Sequence, residues 1–533
     1  MPPPRDVRHA ASVSGGRPTD LDALAARYLA PPTEECPTFL GDSTWDAVID
    51  GVEYFTELHL AIADAGPGDS ILLSGLQMEP DMDLTGRTPG DPGYRPVVDV
   101  LAEKAALGVD VRVLLSGAVI SGSLPWPKIG PFRANNLAAR TMRGWLPSTD
   151  NCFGAPPLRD RVLLDWSGTG IGTNHQKVAV LHIGGDLTAY VGGIDLVASR
   201  FDAQPHHTLL TSDRKRWGWH DGAARLQGPA AVRVWEIYRW RWQEIVTLPR
   251  RYFYLPPASL AVLNPPLRPM TLPAAPADLP THRTDIAVQV MRSYSPWKVF
   301  YVRSLKRVRW ATLPRGGVKE VYDTLATAIR GAKRYIYLED QYFYEMPGGS
   351  RRFGLYKLLR DAAERGVKLI LVGSGRKDPS DGGGTIKLQR KVTGDLERKI
   401  LRRLPKAKRR NLIMHRVEGL TVHTKLFLVD DAFACIGSAN FFSRSMVGTD
   451  SEMSCAMVTT GTAVRDLRVQ LWAEHLRTPV DDRLRPYLEN LDVALGIWRE
   501  EWLPADAFTD TWVTPGVPDG FAPLERVLFA VNP

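Results

Sequence analysis

The alternation of apolar and polar positions divides the chain into two similar blocks with an aperiodic stretch between them. In residues 45–78, Val52, Phe55, Leu58, Ile62 and Ala65 recur at helical spacing. The Gly66-Pro67-Gly68 break ends that helix, and Ile71–Leu73 reads as a short buried strand. Val97, Val100, Leu101 and Ala105 mark a second helix, Gly108 stops it, and Val109–Leu115 is a second strand. This β-α-β order predicts a mainly parallel sheet flanked by helices. The order returns later in the chain. Residues 318–343 mirror 52–78, and 353–375 mirror 95–117, down to an Ala-rich helix, a stop at Gly366, a strand and a Ser-Gly pair.

Between these elements the pattern weakens. Residues 118–174 are irregular and rich in Gly, Pro and Trp, with a helix predicted near Phe132–Arg143; so long an insertion reads as a site wall or a packed loop. Residues 249–280 hold nine prolines and read as a linker. The expected organisation is a disordered lead-in (1–40), a first half (41–248), the linker (249–280), a second half (281–480) and a C-terminal extension (481–533). The Trp/Tyr-rich helix at 235–242 reads as core.

Each half carries the same polar interruption at the start of an apolar strand. In the second half, His423 and Lys425 precede Leu426–Val429, Asp430 ends the run, and Phe433–Ile436 returns. In the first half, His175 and Lys177 open a strand that turns at Gly184-Gly185-Asp186 and returns over Leu187–Val191. Residues two apart on a strand share a face, so imidazole and ammonium point the same way. Gly437-Ser438-Ala439-Asn440 follows one hairpin and Gly192-Gly193-Ile194-Asp195 the other. His182 stands where Asp430 stands in the second copy. Asp221 precedes the apolar strand Ala223–Leu226 as Glu452 precedes Met453–Val458; the alternative reading of Asp221 is a helix or turn cap.

Such residues suit a phosphodiester. Lys177 and Lys425 would offset its charge. One neutral imidazole could attack phosphorus while a protonated one supplies the leaving oxygen with a proton. Each histidine needs a carboxylate to hold its ring and tautomer, and Asp221 and Glu452 are the candidates. Ser438 and Asn440 could donate hydrogen bonds to phosphate, whereas Asp195 would repel it and reads as structural.

Bulk properties narrow the partners. The chain has 533 residues, 44% hydrophobic and 24% charged, a soluble globular composition long enough for two or more domains. No apolar run approaches membrane-spanning length, and the N-terminus lacks the apolar core of a secretory signal, so a cytoplasmic or peripheral membrane location is expected, with signal-free export left open. The net charge of +8 favours anionic partners, phospholipid surfaces or nucleic acid. The basic segment 397–410 reads as a solvated helix face or a membrane contact. The four cysteines have neither metal-ligand spacing nor the density of a disulfide framework, and no metal-ligand cluster is visible in the sequence, so no metal or cofactor is expected.

The stretches HTKLFLVDD, IGSAN and RSMVGTDSE, with NHQKVAVLH, GGIDL and WHD earlier in the chain, resemble the signature of the phospholipase D superfamily. The resemblance implies an α/β fold of two pseudo-twofold halves with one active site at their interface. It assigns His175 as nucleophile and His423 as general acid, an order the residues alone leave open. It implies a metal-independent phosphohistidine route and, in the lipid-cleaving members, hydrolysis of glycerophospholipids to phosphatidate and a head-group alcohol, with transfer to alcohols. The expected partners are phospholipid and an anionic membrane surface rather than nucleic acid, with the chain monomeric. The alternatives are a cardiolipin synthase-like phosphatidyltransferase, a nuclease of the superfamily, or a binding protein with a decayed site. Glu339 and Gln341 match a stretch beside the site in similar enzymes.

Overall fold

A computed structural model describes residues 20–117, 130–146, 156–165, 172–204, 206, 218–246, 284–295, 297–301, 306–309, 316–341, 343–345, 354–374, 394–417, 420–475, 485–498 and 509–511. The chain opens with α1 (Asp20–Tyr28) and β1 (Thr38–Leu40). The first half follows: β2 (Thr44–Ile49), α2 (Gly51–Asp64), β3 (Ser70–Gly75), α3 (Val97–Ala106), β4 (Asp110–Ser116), α4 (Gly130–Gly144), β5 (Val162–Asp165), β6 (Lys177–Ile183), β7 (Asp186–Gly192), β8 (Gly218–His220), β9 (Gly222–Gln227) and α5 (Pro229–Val246). The second half contains β10 (Ile286–Tyr294), the hairpin β11 (Trp297–Tyr301) and β12 (Lys306–Arg309), β13 (Val318–Lys319), α6 (Glu320–Gly331), β14 (Tyr335–Glu339), α7 (Leu355–Arg365) and β15 (Lys368–Ser374). It continues through β16 (Leu412–Val417), β17 (Leu420–Val422), β18 (Leu426–Val429), β19 (Phe433–Gly437), α8 (Ser443–Val447), β20 (Glu452–Thr459) and α9 (Ala463–His475). Two short helices, α10 (Arg485–Glu489) and α11 (Leu491–Trp498), and β21 (Thr509–Thr511) close it.

Each half builds one sheet, in the order β2-β9-β7-β6-β3-β4-β5 and β1-β10-β20-β19-β18-β14-β15-β16-β21. Pairing is parallel where a helix or long crossover joins the strands, β3-β4-β5 and β14-β15-β16. The hairpins β6-β7 and β18-β19 add antiparallel strands on one side, so each α/β sheet is mixed. The helix predicted near Phe132–Arg143 is α4. Residues 20–40, expected in the disordered lead-in, form α1 and β1, and β1 pairs with β10 of the second half. The apolar spacing Leu21, Leu24, Ala25, Tyr28 gives α1 a stripe that packs on the helices of that half. The proline-rich linker at 249–280 lies outside the described residues.

The two sheets share one core. Val178 and Val180 of β6 lie in the same apolar cluster as Leu426 and Leu428 of β18, whereas Ala179 and Leu181, and Phe427 and Val429, point into separate outer clusters. This is strand alternation with both faces buried. Trp235, Tyr238 and Trp242 of α5 and Trp472 of α9 fill the shared cluster, so the aromatic helix is core, as read. Trp498 of the C-terminal extension joins them, while Trp502 lies outside the described residues.

Asp430, at the far end of β18 from His423, has a structural task. Its carboxylate accepts the amides of Lys333, Arg334 and Tyr335 at 2.7, 2.7 and 2.9 Å and the Tyr28 hydroxyl at 2.9 Å. His182, at the matching place in β6, makes no such bonds; its ring meets the edge of Trp235. In the first half Asp69 anchors the turn instead, accepting the amides of Gly66 at 2.8 Å and Gly184 at 3.1 Å. Asp430→Ala is therefore expected to lower stability by about 2–4 kcal/mol, because several donors lose their acceptor. His182→Ala should cost less than about 1 kcal/mol. Urea unfolding followed by circular dichroism measures both; equal losses would contradict this division of labour.

Candidate active site

The site lies beyond the carboxyl ends of the parallel strands, where open α/β sheets place theirs. The Ser-Gly pair repeated in the sequence has a matching role in each half. Ser116, ending β4, accepts the Asn174 amide on its hydroxyl at 3.1 Å, and Ser374, ending β15, accepts the Val422 amide at 2.8 Å. These residues immediately precede the two histidines. Each histidine then bonds across the interface. The His175 amide donates to the Ser451 carbonyl at 3.0 Å, and the His423 amide to the His220 carbonyl at 2.7 Å. Ser451 and His220 directly precede Glu452 and Asp221. A bridge between Asn174 and Ser451 and the parallel pairing of β17 with β8 extend these contacts.

The carboxylates consequently cross. His175 Nδ1 lies 3.0 Å from Glu452 Oε2, and His423 Nδ1 lies 2.6 Å from Asp221 Oδ2. Each histidine thus takes its carboxylate from the other half, and its Nε2 is left for chemistry. The crossing was not visible in the spacings, which only matched each carboxylate to the histidine of its own copy.

The surroundings of the carboxylates differ in a compensating way. Glu452, fully buried, accepts Ser438 Oγ at 2.5 Å and Ser445 Oγ at 2.6 Å. Ser438, expected to donate to phosphate, is itself fully buried and holds this carboxylate instead. The matching residue in the first half is Gly193, where a Cβ would fall 2.1 Å from Asp221 Oδ1. A shorter carboxylate there sits against bare backbone, and the Gly222 amide donates to it at 2.9 Å. Asn440 is buried beside Phe441, and its Oδ1 has no hydrogen-bond partner among the described residues. Asp195, in the matching place, accepts the Gln77 amide at 2.9 Å and lies 3.5 Å from Lys177 Nζ, which fits its structural reading.

Both lysines are buried. Lys177 Nζ donates to the His175 carbonyl at 2.9 Å, and Lys425 Nζ donates to the His423 carbonyl. Burial lowers the Lys425 ammonium to about 8. Burial, then the positive charges of Lys425, Arg200 and Lys177, holds His423 well below the ordinary histidine value. Burial raises its partner Asp221 above the usual carboxylate range.

Two groups beside His423 escaped the sequence reading. The Trp219 ring meets His423 edge-on, 5.3 Å between centroids, and the Arg200 guanidinium lies 3.3 Å from the centroid of the Trp219 ring. Trp219 stands in WHD, one of the stretches that carry the family resemblance, and Arg200 follows GGIDL, yet neither has a motif spacing of its own. Glu339 is buried behind the site, where its Oε2 accepts the Thr424 hydroxyl at 2.8 Å, and Gln341 is half-buried nearby in sequence. The basic residues 402–410, most of them exposed, lead into β16, where Asn411 Oδ1 accepts Lys368 Nζ, at the start of β15, at 2.6 Å. They lie at the strand ends opposite the histidines.

Comparison with known proteins agrees with this geometry. The family model described as "Phospholipase D" matches residues 210–353, and that described as "Cardiolipin synthase, PLD-like domain" matches residues 325–472. Phospholipase D alpha 1 of Zea mays is 24% identical, over 78% of this chain and 63% of that protein. Phospholipase D alpha 1 of Oryza sativa subsp. japonica is 25% identical, over 73% of this chain and 59% of that protein. The chain thus spans about three fifths of the length of these relatives. In fold it is similar to the phosphatidylserine synthase of Haemophilus influenzae Rd KW20, with a TM-score of 0.51, 10% identity and coverage of 86% and 90% of the two chains. The paired halves, the two His-x-Lys strands and these matches make the chain a member of the phospholipase D superfamily.

Because the couples cross, neither half holds a complete one. A fragment ending at Pro249 carries His175 without Glu452, and one starting at Thr281 carries His423 without Asp221. Neither should turn over a soluble p-nitrophenyl phosphodiester, and activity from a verified monomeric fragment would refute the shared site. In the full chain, Asp221→Asn and Glu452→Gln should each lower kcat by about 10²–10⁴ with little change in KM.

Proposed function

We propose that the chain is a phospholipase D, cleaving the distal phosphodiester bond of glycerophospholipids to phosphatidate and a free head-group alcohol. The observation that carries this reading is the pair of crossed histidine–carboxylate couples flanked by two buried lysines. His175 attacks phosphorus through Nε2, a nitrogen–phosphorus bond forms, and the bond to the head-group oxygen breaks. That oxygen takes a proton from His423 Nε2. Water or an alcohol then gives a proton to His423 and attacks phosphorus, releasing His175. Glu452 and Asp221 hold the two rings and stabilise the charge each acquires. Lys177 and Lys425 neutralise the non-bridging oxygens as charge develops. Asn440 remains a candidate phosphate donor. An anionic membrane is the expected surface of action.

The low proton affinity of His423 comes from burial and from the charges of Lys425, Arg200 and Lys177. A phosphodiester anion among Lys425, Arg200 and Lys177 cancels their field, so the acid's proton binds with the substrate. An acid must be protonated to act, so the rate falls as pH rises through its pKa. The descending limb of kcat/KM, set by the free enzyme, should therefore lie at lower pH than that of kcat, set by the complex. With a p-nitrophenol leaving group, which needs no proton, His423→Ala should lose far less of the first step than with a choline head group.

A phosphatidyltransferase reading has its own support: residues 325–472 match the cardiolipin synthase model. The two reactions share the covalent intermediate and differ in the acceptor. Incubation with mixed phospholipids and ethanol separates them. Phosphatidate in water, diverted to phosphatidylethanol in proportion to ethanol, is expected, with a product ratio independent of the departing head group. Product only when a lipid alcohol is supplied would assign the transferase, and DNA cleavage without lipid turnover a nuclease.

A further inference from the structure

The two lysine strands meet unlike neighbours at one matching position. β6 pairs with β3 and β18 with β14, antiparallel, with Val178 opposite Ser74 and Leu426 opposite Glu339. One residue further along, the same register sets Lys177 opposite Gly75 and Lys425 opposite Asp340. β14 keeps its course there, because the Asp340 amide donates to the Val372 carbonyl of β15 at 3.2 Å. Opposite residues of an antiparallel pair share a face, so Asp340 lies on the face of Lys425. On the other flank Lys177 pairs with Gly192, and the register of β18 and β19 sets Lys425 opposite Gly437. Asp195 and Asn440 lie three residues beyond those glycines. The first half thus flanks its lysine with Gly75 and Asp195, the second with Asp340 and Asn440. The carboxylate has changed flanks.

The exchange preserves a bond. Asp195 Oδ1 accepts the Gln77 amide at 2.9 Å, tying the loop after β7 to the loop after β3. Asp340 Oδ2 accepts the Phe441 amide at 2.6 Å, tying the loop after β14 to the loop after β19. Each half therefore bridges the two loops beside its lysine with one carboxylate, built from opposite sides. The space fits each side. A Cβ at Gly75 would fall 3.3 Å from Asp195 Oδ1 and 3.0 Å from the Gln77 carbonyl oxygen, so a side chain there would crowd the first bridge. A carboxylate on both flanks would set two negative charges against one ammonium, and each half keeps one.

We propose that Asp340 is the counterpart of Asp195, a positioning residue whose carboxylate holds the Lys425 ammonium in place and keeps it charged. Asp195 lies 3.5 Å from Lys177 Nζ, and both aspartates and both lysines are buried. Lys425 donates to the His423 carbonyl, and the charges that bear on it come from four places in the fold: Asp221 before β9, Asp340 after β14, Lys177 on β6 and Glu452 on β20. Asp221 and Glu452 are committed to the two histidines, whereas Asp340 binds a backbone amide. Burial disfavours the ammonium, and a carboxylate close by opposes that loss.

The ammonium can be read without substrate, so the test does not depend on the assigned reaction. In the full chain carrying lysine labelled at Cε with carbon-13, the resonance identified by its loss in Lys425→Met should titrate at about 8. Asp340→Asn keeps the shape and an oxygen for the Phe441 amide but removes the charge, and should lower that titration by about one pH unit. Asp340→Gly should lower it as well. Asp340→Gly with Asn440→Asp rebuilds the first-half arrangement and should return it to within about half a unit of wild type. An unmoved titration in Asp340→Asn would overturn the proposal. A double variant that stays with Asp340→Gly would overturn the equivalence with Asp195. Should the glycine variants fail to fold, Asp340→Asn decides alone. Only the effect on rate rests on the proposed function. With a p-nitrophenyl phosphodiester the charged ammonium is the working form, so the descending limb of kcat/KM should move to lower pH in Asp340→Asn. A moved resonance with an unmoved limb would uphold the pairing and count against the part given to Lys425 in the reaction.

Discussion

The structure depends on two backbone hydrogen bonds that cross between the halves, His175 to Ser451 and His423 to His220. Each joins a catalytic-strand histidine to the residue just before the opposite carboxylate. Once these bonds form, the crossed side-chain couples follow, because a carboxylate one residue along the partner strand has only its own length to span. The shared apolar cluster between the sheets makes the bonds possible, holding β6 and β18 in one buried layer. A change that slid one half against the other by a residue would flip strand faces and break both couples together.

Pseudo-symmetry at this interface is exact in backbone roles and relaxed in side chains. Ser116 and Ser374 do the same work, as do Ser451 and His220. The carboxylates do not: Glu452 needs Ser438 and Ser445 to steer its longer arm, while Asp221 needs room at Gly193. The turn anchors have diverged further, Asp430 on one side and Asp69 on the other. His182 stands in the place of the motif aspartate, and the acceptor at the matching turn of the first half is Asp69, just before β3.

Much of this could be read from local pattern. Helix stops at glycine, the strand Leu426–Val429 and its hairpin partner all depend on nearby residues, and all stand as read. What the sequence hid is set by contacts across hundreds of residues. The exchange of carboxylates requires the relative placement of the halves, which no spacing encodes. Ser438 looked like a phosphate donor because its hydroxyl is a generic one; only its distance to Glu452 reveals the commitment. Residues 20–40 looked like a lead-in because the helix is short and its apolar stripe narrow, and the face that stabilises it belongs to the second half.

The electrostatics of the site bear on why so unfavourable an arrangement is kept. Lys177, Lys425 and Arg200 are buried near one another; burial first, and then their positive charges, hold His423 well below the ordinary histidine value, and burial lowers the Lys425 ammonium to about 8. Like charges held together out of water destabilise the free protein. On the function proposed above, a phosphodiester anion placed among them would relieve that repulsion, restore the proton to His423 and keep Lys425 charged in one binding event. The strain would then be directed at the substrate. It is tolerated because the groups that bear it are fixed from behind, by Asp221, by the His220 carbonyl and by the buried carboxylates beyond them.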